Sequence, residues 1–168
     1  MSMQGDGRSS TSLNPYAGAL GQRDAVEVIA ATPERLEALL GRLSGEQIER
    51  RPAPGKWSVR EIMAHLADCE MAFGFRLRQG AAGVQMIQPF DQDDWARNYG
   101  GYDFASAMAA YRAMRAWNLA FVRSLTDQQK QIQVTHPERG TMAVWTILET
   151  MAGHDLHHLE RLEKQVSG

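Results

Sequence analysis

The sequence predicts an all-α fold: a four-helix bundle with a long crossover connection between helices two and three. Three observations predict it. Four segments carry apolar residues every three or four positions, no convincing strand hairpin separates them, and a long stretch from Ala81 to Tyr102 divides the middle two.

The first helix runs from about Ala25 to Leu43, with Ile29, Leu36, Leu39, Leu40 and Leu43 on one side. Thr32-Pro33-Glu34 has the form of an N-cap followed by proline, so this helix either starts at Pro33 or kinks there. Gly45 to Gly55 contains two prolines and reads as a connection. The second helix opens with a capping box, Ser58-Val59-Arg60-Glu61, in which hydroxyl and carboxylate each satisfy an orphan backbone donor. Its stripe continues through Ile62, Leu66, Cys69, Phe73 and Leu77 and stops at Gly80 and Gly83. The crossing segment carries Pro89, Gly100 and Gly101, with one helical turn expected at Asp91 to Trp95. Asp103 caps the third helix, whose stripe is Phe104, Met108, Tyr111, Leu119 and Val122. Thr135 to Gly140 reads as a turn-rich link, and Thr141 as the cap of a fourth helix ending near Gln165.

Composition narrows the function. The net charge is -2 with acids and bases interspersed, which gives no electrostatic case for nucleic acid. No apolar run approaches the roughly 18 residues that a membrane span needs. Residues 1–20 are expected to form a flexible tail, polar and without the apolar core of a secretory signal, leaving 21–168 as the bundle domain. The single cysteine, Cys69, rules out an intrachain disulfide and fits a cytoplasmic location.

The histidines are the most informative residues: three of the five, His154, His157 and His158, fall near the C-terminus. Residues four apart on a helix share a face. At about 100° per residue, His158 falls within the stripe of Val144, Ile147, Leu148, Met151 and Leu162, His154 at its edge, and His157 outside it, facing solvent. His65 lies at the edge of the helix-two stripe, between Ile62 and Cys69. Three inward imidazoles from two helices can converge on one divalent ion per chain, zinc or nickel first and iron or manganese next. Three protein ligands leave a coordination position open, the pattern of a catalytic site.

The stretches Lys56 to Ile62 running into His65-Leu66-Ala67-Asp68, Pro89 to Ala96, His136-Pro137-Glu138 with Gly140, and His154 to Leu159 resemble, in their order and separation, the DinB/YfiT-like family of metalloenzymes. The resemblance covers the chain from about Ala25 to its end. It implies a four-helix bundle whose metal is held by one histidine of helix two and two of helix four: His65, His154 and His158. It further implies a homodimer, and it leaves open several activities, among them thiol transfer with bacillithiol, mycothiol or glutathione, and maleylpyruvate isomerisation.

Other residues invite roles. Arg115 and Asn118 sit on the apolar stripe of helix three, and Asp155 on the inward side of helix four. Arg115 and Asp155 pair in the structural account. In the functional one Arg115 binds a substrate carboxylate, Asn118 orients a metal-bound water and Asp155 is a candidate base, with Glu149 and Asp68 as others. Asp68 and Glu70 read as solvated or as proton acceptors from a ligand imidazole, Cys69 as a core residue or a fourth, soft ligand, and His136 as a turn residue beside Pro137 or one that reaches the site mouth. Trp57, Trp95, Trp117 and Trp145 read as packing anchors. Two function classes stay open: a metal-dependent enzyme, hydrolase or thiol-dependent transferase acting on a small electrophile, or a non-catalytic, metal-stabilised dimeric binding protein.

Overall fold

The computed structural model describes residues 13–167. In chain order the elements are α1 (Ala17–Leu20), α2 (Ala25–Leu40), α3 (Gly45–Glu49), α4 (Val59–Ala81), α5 (Gln92–Ala96), α6 (Phe104–Ser124), α7 (Asp127–Gln131), β1 (Gln133–His136), β2 (Gly140–Ala143) and α8 (Val144–Ser167), with a 3₁₀ turn at Tyr99–Gly101. Four of them, α2, α4, α6 and α8, form the bundle. Among the described residues no helix is long and apolar enough to cross a membrane.

The neighbours run in the order α2, α6, α4, α8 and back to α2. Paired side chains give the directions. Arg115 meets the Ile29 carbonyl and Arg112 meets Glu37, so α2 and α6 are antiparallel. Asn118 bonds to Glu70, and Ala64 and Ala107 line one groove, so α4 and α6 are parallel. The crossing segment makes this possible: it leaves the far end of α4 and returns to its start, where the Arg60 guanidinium donates to the carbonyls of Tyr99 and Tyr102. The crossover connection therefore stands as the sequence predicts. A chain with only short links would have been held to antiparallel neighbours.

Local signals fix most boundaries. Ser58 and Glu61 make the capping box of α4, and Asp103 caps α6 through the Ser106 N–H at 2.9 Å. Asp91 caps α5 by accepting from Asp93 and Asp94. Two further boxes, Ser44 with Gln47 and Thr126 with Gln129, start α3 and α7 in stretches expected to be connections.

Four expectations are corrected in whole or in part. Of the two readings at Pro33, a helix starting there falls, since α2 begins at Ala25 and continues through it. Proline cannot donate to the Ile29 carbonyl, and the Arg115 guanidinium takes that place at 2.8 Å, so the helix neither starts nor breaks there. The link before the last helix is an antiparallel hairpin, with Thr135 opposite Thr141 and their hydroxyls 3.0 Å apart. Thr141 is thus a strand residue, and α8 starts at Val144. The packed chain begins before residue 21: Asn14 and Leu20 are buried, and the chain at Tyr16 lies so close to α8 that a Cβ on Gly153 would meet the Tyr16 carbonyl oxygen at 2.5 Å. The part of the expected tail at residues 1–12 falls outside the described residues. Trp117 is 72 % exposed and anchors nothing among the described residues. It follows the buried Arg115 by two positions, which on a helix turns it to the far side.

The core falls into two apolar halves. One gathers Ile29, Phe73, Leu77, Val122, Leu148 and Met151, the other Leu36, Leu40, Ile62, Leu66, Tyr111 and Leu162. Between them lies a transverse layer of buried polar groups: His65, Glu70, Arg115, Asn118, His154, Asp155 and His158. Each fully buried leucine or isoleucine on either side contributes roughly 2 kcal/mol, and that apolar packing is what supports a polar layer in the middle.

Candidate metal centre

His65 projects from α4 toward α8, which presents His154 and His158 one turn apart. Antiparallel packing of α4 against α8 brings the three together. Each offers one ring nitrogen within 4.8 Å of the others, and all three residues are buried. The ring centroids lie 5.1 Å (His65–His154), 4.9 Å (His65–His158) and 4.4 Å (His154–His158) apart. The Nε2 atoms of His65 and His154 are 3.0 Å apart. Ligands at 2.0–2.1 Å around a tetrahedral ion have neighbouring nitrogens about 3.3 Å apart, so the His65–His154 pair is near that spacing, and the third nitrogen lies within 4.8 Å of both.

The electrostatics fit as well. Burial, with the Arg161 charge adding to it, pushes the His65 imidazole down to about 4. Burial also holds His154 and His158 well below the usual histidine range, and each ring's neighbours among the triad push the same way. Neutral imidazole is the form that ligates a metal. His158 Nδ1 is buried with no hydrogen-bond partner among the described residues, a donor or acceptor that a stable core does not usually leave empty. Aromatic rings wall the cluster: Trp57 over His65 at 4.9 Å, with Tyr16 and Phe73 edge-on to His154 at 5.2 and 5.8 Å. The chemistry of the donor set and the orphaned nitrogen together fit a divalent metal.

Cys69, one turn after His65, has its sulfur 3.5 Å from His65 Nε2 and 3.8 Å from His154 Nε2. It does not join the group of mutually close ligand atoms, and burial raises its thiol well above the usual range, so it stays protonated beside the triad. His157 is only half-buried, resting against the rings of Tyr16 and His158.

The other candidates gather in the same layer but face one another. The Arg115 guanidinium forks onto Asp155, at 2.6 Å from Nη1 to Oδ2 and 3.0 Å from Nη2 to Oδ1, while Nη2 also pairs with Glu70. Asn118 donates to the Glu70 carbonyl at 2.9 Å and to its carboxylate at 3.1 Å, and accepts from Arg78 at 2.7 Å. Arg115, Asn118 and Asp155 are thus partners in a network joining all four bundle helices. Glu70, expected on the surface, is buried within it; its place four residues after Leu66 and three before Phe73 was the available signal. Asp68 and Glu149 are half-buried, and burial raises both carboxyl groups. His136 is buried in β1.

Known proteins place this architecture. A protein of Oceanobacillus iheyensis named as a candidate metal-dependent hydrolase is 25 % identical over 139 residues, which cover 82 % of this chain and 81 % of that one. YfiT of Bacillus subtilis, named likewise, is 23 % identical over 141 residues, covering 82 % and 79 %. The solved structure of YfiT, described as having an unusual four-helix bundle topology, superposes with a TM-score of 0.76 at 20 % identity, covering 98 % of this chain and 91 % of that one. The DinB superfamily model matches residues 29–162, the whole span from the Arg115-capped carbonyl of α2 to the last buried leucine of α8, and the chain belongs to the DinB superfamily.

Proposed function

We propose that this protein is a metal-dependent hydrolase whose single divalent ion is held by His65, His154 and His158. The observation that carries the reading is the clustering of three buried imidazoles with ring nitrogens within 4.8 Å of one another, and with His158 Nδ1 left without a partner among the described residues. The names of the relatives support it. Bound there, a divalent ion supplies Lewis acidity, lowering the pKa of water toward neutrality and polarising a carbonyl or phosphoryl oxygen.

This chain's residues do the rest. Burial keeps the three rings unprotonated near neutral pH, so they are ready to ligate. Trp57, Tyr16 and Phe73 exclude bulk water and hold the rings in place. Arg115 pairs with Asp155 beside His154 and with Glu70 beside Cys69, which fixes α8 against α4 and so sets the spacing of the triad. Zinc and nickel suit such a donor set first, iron and manganese next.

Elemental analysis of protein purified without added metal tests the reading, together with hydrolysis of an ester and amide panel before and after chelation. About one metal per chain is expected, lost in His158→Ala. Full retention of metal by that variant would remove the triad assignment. Turnover that requires an added low-molecular-weight thiol would replace hydrolysis by thiol transfer at the same centre.

A further inference from the structure

One turn along α8 from His154 lies a second group of polar side chains that the metal centre does not use. Arg76 on α4, and His136 and Arg139 on the β1–β2 hairpin, line a cleft with Phe73 and Thr150. Phe73 belongs to both places, since its ring also meets His154. Thr150 precedes His154 by one helical turn, a rise of about 6 Å.

Arg76 is only 6 % exposed. Its Nε donates to the Gln88 carbonyl at 2.9 Å and its guanidinium lies over the Phe90 ring at 5.2 Å. No carboxylate lies within ion-pair distance of it among the described residues, and its two terminal nitrogens have no hydrogen-bond partner there. Arg115, the other deeply buried arginine, has two carboxylates. The terminal nitrogens of Arg76 are not sealed from solvent, so they carry a charge with no acid paired to it, and an anion can take the place of water there. Glu138, the carboxylate whose charge acts on Arg76, is exposed and helps it less than the like charge of Arg139 opposes it.

His136 supplies a further donor. Its Nδ1 accepts from the Glu138 backbone N–H at 3.2 Å, which leaves the proton on Nε2, without a partner among the described residues. The turn is built to present these groups: Gly140 takes a positive φ of 96° that closes it, and the Arg139 N–H bonds to the His136 carbonyl at 3.2 Å.

We propose that Arg76, Arg139 and the Nε2–H of His136 form an anion subsite for a carboxylate, which seats the acidic group of the substrate next to the metal centre. The binding of a carboxylate stands on this cleft alone; its service to a substrate rests on the hydrolase reading. A guanidinium fork matches the two oxygens of a carboxylate. The enclosed part of the cleft is narrow, about 10 Å³, room for one carboxylate oxygen, so the other oxygen stays at the mouth. The flat edge of a carboxylate fits that space better than a tetrahedral phosphate does. The substrate class is then a small organic acid whose scissile ester or amide lies a few bonds from its carboxylate.

The test is an NMR titration of the whole protein, metal-free and zinc-loaded, at constant ionic strength, following the His136 ring signals. Acetate is the probe, acetamide the neutral control of the same shape and inorganic phosphate the competing anion. Acetate is expected to shift the signals saturably at about 1 mM or above, acetamide not at all and phosphate more weakly. Arg139→Met, at a half-buried turn position, is expected to weaken acetate binding at least about fivefold with the zinc content unchanged; Arg76→Met does the same if it folds. No saturable response to acetate, an equal response to acetamide, or unchanged affinity in Arg139→Met would overturn the subsite. Tighter binding of phosphate would overturn its assignment to carboxylates. If the protein takes up no zinc yet binds acetate as described, the metal reading fails and the anion site stands.

Discussion

Replacing Arg115 with methionine would remove the one cation shared by Glu70 and Asp155 and the donor that serves the Ile29 carbonyl. Methionine keeps much of the buried volume, so the loss is chiefly electrostatic. Stripping the partner from a buried ion pair costs about 3–5 kcal/mol, and an orphaned carbonyl adds about 1–3 kcal/mol. The sum is limited because Glu70, whose carboxyl burial already raises, can take up a proton once Arg115 is gone. A net loss of about 4 kcal/mol is expected, read from urea unfolding at constant m. In the variant the folded Glu70 has a pKa above its unfolded value. Its contribution is intact below the unfolded pKa and is lost as pH rises through the folded one, so the deficit should be larger at pH 8 than at pH 5. The proline gives an internal control. Pro33→Ala restores an N–H for the Ile29 carbonyl, and in the Arg115→Met background it should recover about 1 kcal/mol more than it gains in the parent protein. Additivity of the two substitutions within about 0.3 kcal/mol would refute the claim that Arg115 stands in for the missing helical hydrogen bond.

Gly74→Ala should destabilise despite alanine's better helix propensity of about 1 kcal/mol, because the new Cβ would lie 2.7 Å from Asn118 Nδ2 and displace it from Glu70; a net loss of about 1–3 kcal/mol is expected, and a stabilised variant in thermal melts would contradict the packing described. Metal-free protein should lose stability as pH falls from about 6.5 toward 4, since the folded His65 resists protonation down to about 4 while the unfolded ring takes its proton near 6.5. His65→Asn should lessen that acid slope by up to about 1.4 kcal/mol per pH unit, and an unchanged slope would count against a buried neutral ring. Trp117→Gln, at an exposed position, should change stability by no more than about 0.5 kcal/mol, and a loss above 2 kcal/mol would mean that the face carrying it is covered.

The parts legible in the sequence are those set by helical period alone. His65, His154 and His158 could be placed inward because each is tied by three- and four-residue steps to leucines and isoleucines on the same helix, and the structure brings their rings together. The same arithmetic reaches Glu70 and Arg76, which sit between stripe residues of α4. Charge argues against that arithmetic: Glu70 reads as solvated or as a partner of a ligand imidazole and Arg76 carries no signal of its own, because charged residues are expected outside, an expectation that local geometry overrules. The hairpin is hidden for a different reason: two strands of four residues each hold too few alternations to stand out, and what ties them to the rest is long-range, the bridge of Met86 to Thr135 and the burial of Val134 and Met142 in the core. The passage of α2 through Pro33 is one of two readings that the sequence leaves open, and nothing local decides between them, because the group that repairs it lies on another helix.

That repair bears on why the histidine cluster and the ion-pair network share one layer. A buried imidazole cluster and a buried arginine each disrupt apolar packing, and placed at separate heights they would cut the core twice. Stacked in one layer, they leave two continuous apolar halves above and below. Adjacent positions then serve both ends: His154 turns to the triad while Asp155 turns to Arg115, and on α4 Cys69 lies against the triad while Glu70 pairs with the same arginine. The chain thus couples the spacing of its three clustered histidines to an ion pair that cannot shift without leaving a charge unpaired. The consequence is specific: loss of Arg115 should weaken metal uptake even under conditions where the variant remains folded. Zinc affinity measured by competition with a chelator, set beside circular dichroism of the same sample, separates the two effects. Unchanged affinity in folded Arg115→Met protein would show that the triad holds its geometry without the network.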